Sequence, residues 1–173
     1  MRISVIICAH NEARYLSSCL YSLLAQSRPP EEILVINNAS TDATGAVAAQ
    51  VPGVRVVDEP RKGLVVARET GRHSATGDLL VYIDADCRAP LTWLALVERR
   101  FERDPRLLAL SGPYRFYDWD WPGGGQLWCR VPGRQALVHG RRDLRRSAGE
   151  TGRRSVPRPD APRLVHAGVA TPV

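Results

Sequence analysis

Short β-branched runs alternate with helical apolar stripes along the first two thirds of this chain, and few folds accept that pattern. Ile3-Ser4-Val5-Ile6-Ile7-Cys8, Ile33-Leu34-Val35-Ile36, Val54-Arg55-Val56-Val57 and Leu79-Leu80-Val81-Tyr82-Ile83 have strand length and composition, and Leu107-Leu108-Ala109-Leu110 reads as a fifth strand. After the first run, Leu16, Leu20, Leu23 and Leu24 form one helical stripe that Ser27-Arg28-Pro29-Pro30 stops. The second run ends in Asn37-Asn38-Ala39-Ser40-Thr41-Asp42, where Ser40 is placed to cap the next helix. Lys62-Gly63 opens a helix carrying Ala67, Arg68 and Gly71, and Gly77 suits a left-handed position after its end. Leu94, Val97 and Phe101 mark a last helix, which Asp104-Pro105 terminates. The alternation predicts an α/β domain: a parallel sheet with helices on both faces and right-handed crossovers.

In such sheets ligands sit beyond the carboxyl ends of the strands. Asn11-Glu12, Asn37-Asn38 and Asp84-Ala85-Asp86 all fall there. If extended geometry persists, Asp84 and Asp86, at i and i+2, point to one face and converge. Paired carboxylates suit a hard divalent cation that keeps water and also takes substrate phosphates. Taken alone, the dyad fits an acidic turn closing a strand better than it fits a metal site. Three polar clusters on one rim weigh more than any one of them.

The chain has 173 residues and a net charge of +6, unevenly spread. Residues 1 to 129 hold 14 basic against 15 acidic residues, whereas residues 130 to 173 hold 10 Arg against 3 acids. Residues 1–120 read as the folded domain, 121–133 as a break around Pro122-Gly123-Gly124-Gly125, and 134–173 as an Arg-rich tail too poor in apolar residues to offset its ordering entropy. Cys8, Cys19, Cys87 and Cys129 lack zinc-type spacing and read as free thiols in a reducing compartment. Without a membrane-length apolar run or a signal peptide, the expected location is cytoplasmic, with peripheral contact to anionic lipid on the inner membrane face left open by the basic tail.

In this order, Asn11-Glu12, Asn37-Asn38-Ala39-Ser40-Thr41-Asp42, Lys62-Gly63 with Ala67-Arg68 and Gly71, and Ala75-Thr76-Gly77-Asp78 running into Asp84-Ala85-Asp86 resemble family 2 glycosyltransferases of the GT-A fold, a Rossmann-like nucleotide-binding sheet. The resemblance covers residues 1 to about 118. It implies substrate-binding roles for Ala9, Asn11, Glu12, Asn37, Asn38, Lys62, Gly63, Arg68, Asp84 and Ala85, with Asp86 as metal ligand to Mg2+ or Mn2+. Glu12 would hold the base or ribose, and Arg68 would face the diphosphate. Asn37 stands where the family usually has an aspartate that grips the base, which leaves the base unassigned. Asp42 fits a turn-shaping role, and Cys8 replaces a proline common before this family's Asn-Glu.

The implied reaction is transfer of a sugar, with inversion, from a UDP- or GDP-linked donor to a saccharide, lipid or other hydroxyl acceptor. The family's acceptor-side region, a glycine-rich stretch before an acidic base, is not recognisable, and Glu150 is its only faint echo. The chain is therefore expected to be a donor-binding half, truncated, frame-shifted or completed from elsewhere. Two rivals remain. A dehalogenase-type phosphotransferase would carry its Asp-x-Asp after the first strand, not the fourth. A non-catalytic module whose Arg-rich tail binds nucleic acid is disfavoured, because no aromatics interleave the arginines.

Overall fold

A computed structural model of the chain describes residues 1–112 and the strand 163–167. The elements are β1 (Ile3–Ala9), α1 (Leu16–Leu24), β2 (Glu32–Asn38), α2 (Thr44–Ala49), β3 (Val54–Glu59), α3 (Leu64–Ser74), β4 (Leu79–Asp84), α4 (Trp93–Arg103), β5 (Ala109–Gly112) and β6 (Arg163–Ala167). The six strands form one sheet in the order β3-β2-β1-β4-β6-β5, and each neighbouring pair is parallel. This is the GT-A architecture that the sequence suggests, with β1 fully flanked by β2 and β4.

Period-two alternation sends side chains to two separate cores. Ile3, Val5, Ile7, Ile33, Val35, Val81 and Ile83 pack with Leu16, Leu20 and Leu23 of α1 and with Leu94, Val97 and Phe101 of α4. On the other face Ile6, Leu34, Ile36, Leu80 and Tyr82 pack with Ala67 of α3. Helix α3 lies close to the sheet because of Gly71: a Cβ there would come within 2.5 Å of Ile6 Cγ2 and 3.3 Å of Ile36 Cγ1. The Tyr82 hydroxyl donates to the Arg68 carbonyl at 3.0 Å and ties the same helix to β4.

Several local expectations are corrected. Ser40 does not cap α2. That helix begins after Ala43 without a side-chain cap, and the Ser40 hydroxyl accepts the Asn11 amide at 3.2 Å instead. Among the described residues the left-handed glycines are Gly53 and Gly63, not Gly77. Gly77 is there because a Cβ would meet the Ser4 amide nitrogen at 2.7 Å. The fifth strand starts at Ala109, two residues later than its apolar run. Arg163–Ala167, placed by composition in the low-order tail, forms β6 between β4 and β5. The rest of that tail, the glycine-rich break and Glu150 lie outside the described residues. Among the described residues no helix is long and apolar enough to cross a membrane.

Two stability predictions follow from this packing. Gly71→Ala should destabilise by about 1–3 kcal/mol in denaturant unfolding, because the added methyl overpacks the α3–sheet contact; an unchanged midpoint would contradict that contact. Truncation after residue 162 removes the strand that joins β5 to the sheet and should lower the melting temperature, whereas an unchanged value would contradict the place of β6.

Candidate nucleotide-sugar site

The strand order reverses between β1 and β4, since the chain proceeds from β1 outward through β2 and β3 and then returns to β1's other side. At such a switch point the two following loops part and leave a crevice. Cys8 of β1 lies in register with Asp84 of β4, so the loop after β1 and the acidic turn after β4 leave the sheet side by side.

The loop after β1 is laced to the loop after β2. Asn11 adopts φ 58, and its side-chain oxygen accepts the Thr41 amide at 2.7 Å. Glu12 donates its amide to Thr44 Oγ1 at 2.8 Å. Asp42 accepts from the Ala13 amide at 3.2 Å and from the amide and hydroxyl of Thr44, which is the turn-shaping role expected of it. The Asn11 side chain thus fixes the loop.

Asn38 does the same for the loop before α3. It is 4% exposed, its amide donates to the carbonyls of Glu59 and Arg61, and its oxygen accepts the Gly63 amide at 2.8 Å. Gly63, at φ 150, can take this conformation because it lacks a Cβ. Glu59, bound by Arg61 and Thr70, anchors the same loop. Those partners hold its carboxyl down at about 2. A cleft of about 210 Å³ results, lined by Cys8, Ala9, His10, Asn38, Lys62 and Gly63 among others.

His10 is a lining residue the sequence reading missed. Its Nδ1 lies 2.7 Å from the Asn38 carbonyl. A carbonyl only accepts, so Nδ1 carries a proton and donates it. The signal lay in its position, between Ala9 and Asn11 in the turn after β1, but a single histidine there has no distinguishing spacing.

On the other side of the crevice the chain turns at once after β4. The Cys87 amide donates to the Asp84 carbonyl at 3.0 Å, so Asp84 and Asp86 converge through a turn rather than through continued extended geometry. Ala85, 3% exposed, packs into the core beneath them. Carboxylate oxygens of Asp84 and Asp86 and the Cys87 sulfur lie within 4.8 Å of one another. Cys87 Sγ is 3.6 Å from Asp86 Oδ1, and burial followed by the charges of Asp86 and Asp84 pushes its thiol up to about 12. The two exposed carboxylates are the hard oxygen donors of this group, a pair of the kind that a divalent cation takes.

Electrostatics ties the two sides of the crevice together. Burial, then Asp86, Asp42 and Asp84, push the Glu12 carboxyl above its ordinary range, and His10 partly offsets them. Burial raises Cys8 to about 11, with Arg68 pulling down and Asp84 pushing up. Glu12, Asp84, Asp86 and Arg68 thus act on a common region around the end of β1. Asn37 differs. It pairs with Asp58 of β3 on the α2 side of the sheet and is not among the cleft's lining residues.

The family model for Glycosyl transferase family 2 matches residues 4–151. Glycosyltransferase AglE of Haloferax volcanii is 32% identical over 99 residues, 53% of this chain and 33% of that protein. The uncharacterized glycosyltransferase YibD of Escherichia coli is 29% identical over 136 residues, 76% of this chain and 38% of that protein. Among solved structures, S. aureus TarS 1-349 in complex with UDP-GlcNAc superposes with a TM-score of 0.61 at 21% identity, covering 70% of this chain and 37% of that 1-349 chain. The chain spans between a third and two fifths of the length of AglE and YibD.

Two variants test the loop assignments. Asn38→Asp keeps the acceptor for Gly63 but turns a carboxylate on two carbonyls, and should cost about 2 kcal/mol or more in unfolding free energy. A neutral result would contradict the role given to the Asn38 amide. Glu12 has a raised pKa, so its ionised form works against the fold at neutral pH, and that penalty fades as pH falls through the raised value. Glu12→Gln should therefore melt at pH 7 no lower than the parent, with any advantage shrinking toward about pH 4; a lower melting point at pH 7 would contradict the crowding of acids at the rim.

Proposed function

The chain belongs to glycosyl transferase family 2, and from that membership we propose that it forms the donor-binding part of an inverting, divalent-cation-dependent glycosyltransferase. The observation that carries this reading is the meeting, at the β1–β4 switch point, of the cleft before α3 with the acids Glu12, Asp84 and Asp86. The complexes of TarS with UDP and with UDP-GlcNAc support a nucleotide-sugar donor.

In this reading the ribose and diphosphate lie across the ends of β1 and β4. Ala9 and Gly63 line the cleft without long side chains, so a ligand can approach the backbone closely. The positive end of α3 and Lys62 attract the diphosphate, and the Arg68 guanidinium adds a charge-assisted contact. Glu12 and Asp84 accept from sugar or ribose hydroxyls. Asp86, with Asp84, would hold magnesium or manganese, and such an ion supplies charge neutralisation for the leaving diphosphate. The acceptor is a saccharide, lipid or other hydroxyl compound, and a base is needed to take its proton.

Titration calorimetry with UDP and GDP in the presence of manganese should give saturable binding to at least one of them. Asp86→Ala should weaken that binding at least tenfold and remove its dependence on manganese, with the melting temperature unchanged. No heat with either nucleotide, or full metal-dependent binding in Asp86→Ala, would overturn the assignment.

A further inference from the structure

The apolar stripe of α1 packs into the core, and two polar residues beside it, Ser22 and Gln26, hold the segment that joins β4 to α4. The Ser22 hydroxyl accepts the Ala89 amide at 2.9 Å while donating to the Cys19 carbonyl at 2.7 Å. Gln26, 4% exposed, donates from Nε2 to the Pro90 carbonyl at 2.7 Å and to the Ser22 carbonyl at 3.0 Å. Its Oε1 accepts the Leu94 amide at 3.0 Å. Helix α4 starts without a side-chain cap from Thr92, so Gln26 satisfies one of its orphan donors from outside the helix. The Ser27 amide adds a bond to the Leu91 carbonyl at 2.8 Å. A buried amide is costly unless its groups are paired, and two of the three partners of Gln26 lie on or just after this one segment.

The segment held in this way carries Asp86. It turns at once after β4, where the Cys87 amide and the Cys19 thiol both donate to the Asp84 carbonyl, at 3.0 and 3.6 Å. Beyond Asp86 the backbone is pinned again at Ala89 and Pro90 by Ser22 and Gln26. We propose that Ser22 and Gln26 are positioning residues that hold Asp86 where it and Asp84 can take a divalent cation. This rests on the metal-dependent donor reading above and adds two residues that act on it from a neighbouring element. Without these ties the turn samples more orientations, and a cation that binds both carboxylates must first order it, which lowers its affinity. Neither residue is among those lining the cleft before α3, so nucleotide binding without metal is independent of them.

The test is calorimetry with UDP and GDP on the full chain, each with manganese and again with EDTA, following the gain in affinity that manganese brings. Gln26→Leu should cut that gain about tenfold, the scale of losing a residue that orients a metal ligand. Ser22 is half-buried, so Ser22→Ala is the milder change should Gln26→Leu not fold. It should cut the gain about threefold or more, and Ser22→Thr, which returns the hydroxyl, should restore it. Affinity in EDTA should stay within about twofold of the parent in all three variants. Ile33→Val, a core truncation near the amino end of β2, should lower the melting temperature and leave the gain as in the parent. An unchanged gain in both Gln26→Leu and Ser22→Ala, an equal loss with and without manganese, or the same loss in Ile33→Val would overturn the assignment while leaving the donor site intact. Parent binding that ignores manganese would overturn the metal reading and this inference with it. Binding of neither nucleotide would overturn the donor site itself, and the inference with it.

Discussion

The parallel pairing of β1 with both β2 and β4 is the constraint on which the rest of the structure depends. Seven residues of β1 are buried or nearly so, its side chains feed both cores, and its backbone bonds to a strand on each side. A central place in a parallel sheet satisfies the backbone groups of Ile3–Ala9 in an apolar setting. The strand must end where its neighbours' loops diverge, and that end is the crevice. Hydrophobic burial in β1 and the position of the acids of the β4 turn are thus two results of one pairing.

The acids around the end of β1 stand in a different electrostatic setting from those at the amino-end rim. At the amino end each acid has a partner: Glu32 with Arg55 at 2.6 Å, Glu31 with Arg28 at 2.8 Å, and Asp78 with the Arg2 amide at 2.8 Å. Those carboxylates hold strand starts and loops together, and Glu31 and Glu32 are held below their ordinary range. At the carboxyl end, around β1, burial and the charges of Asp86, Asp42 and Asp84 crowd Glu12 and push its carboxyl above its ordinary range. A fold selected only for stability gains nothing from that crowding. A cation or a cationic side chain brought to the rim relieves it, and that links the electrostatics of the rim to the proposed donor binding.

Much of the fold was legible because its main signal is short-range. Ile3–Cys8, Ile33–Ile36, Val54–Val57 and Leu79–Ile83 each lie within an observed strand, since β-branched runs buried on both faces admit few alternatives. The rim clusters were legible for the same reason: they follow the runs directly. What failed was cross-chain detail. Ser40 has the chemistry of a helix cap, but a competing donor, the Asn11 amide, lies 29 residues away and takes its hydroxyl. Gly77 answers to Ser4, 73 residues distant, rather than to its own helix. Strand β6 is apolar only over Leu164 and Val165, and its pairing with β4 comes from a gap in the sheet that no local pattern announces. His10 was passed over because it sits in a turn; only the Asn38 carbonyl gives it a setting.

The central claim is that the carboxyl-end rim, and not the equally acidic amino-end rim, is where a divalent cation meets this chain. Paramagnetic broadening of backbone amide signals by substoichiometric manganese tests it most directly. The account predicts selective loss of signals from Asp84 to Cys87 and around Glu12, with those of Glu31, Glu32 and Asp78 retained. Broadening centred on Glu31, Glu32 and Asp78, or spread evenly over the surface, would contradict it.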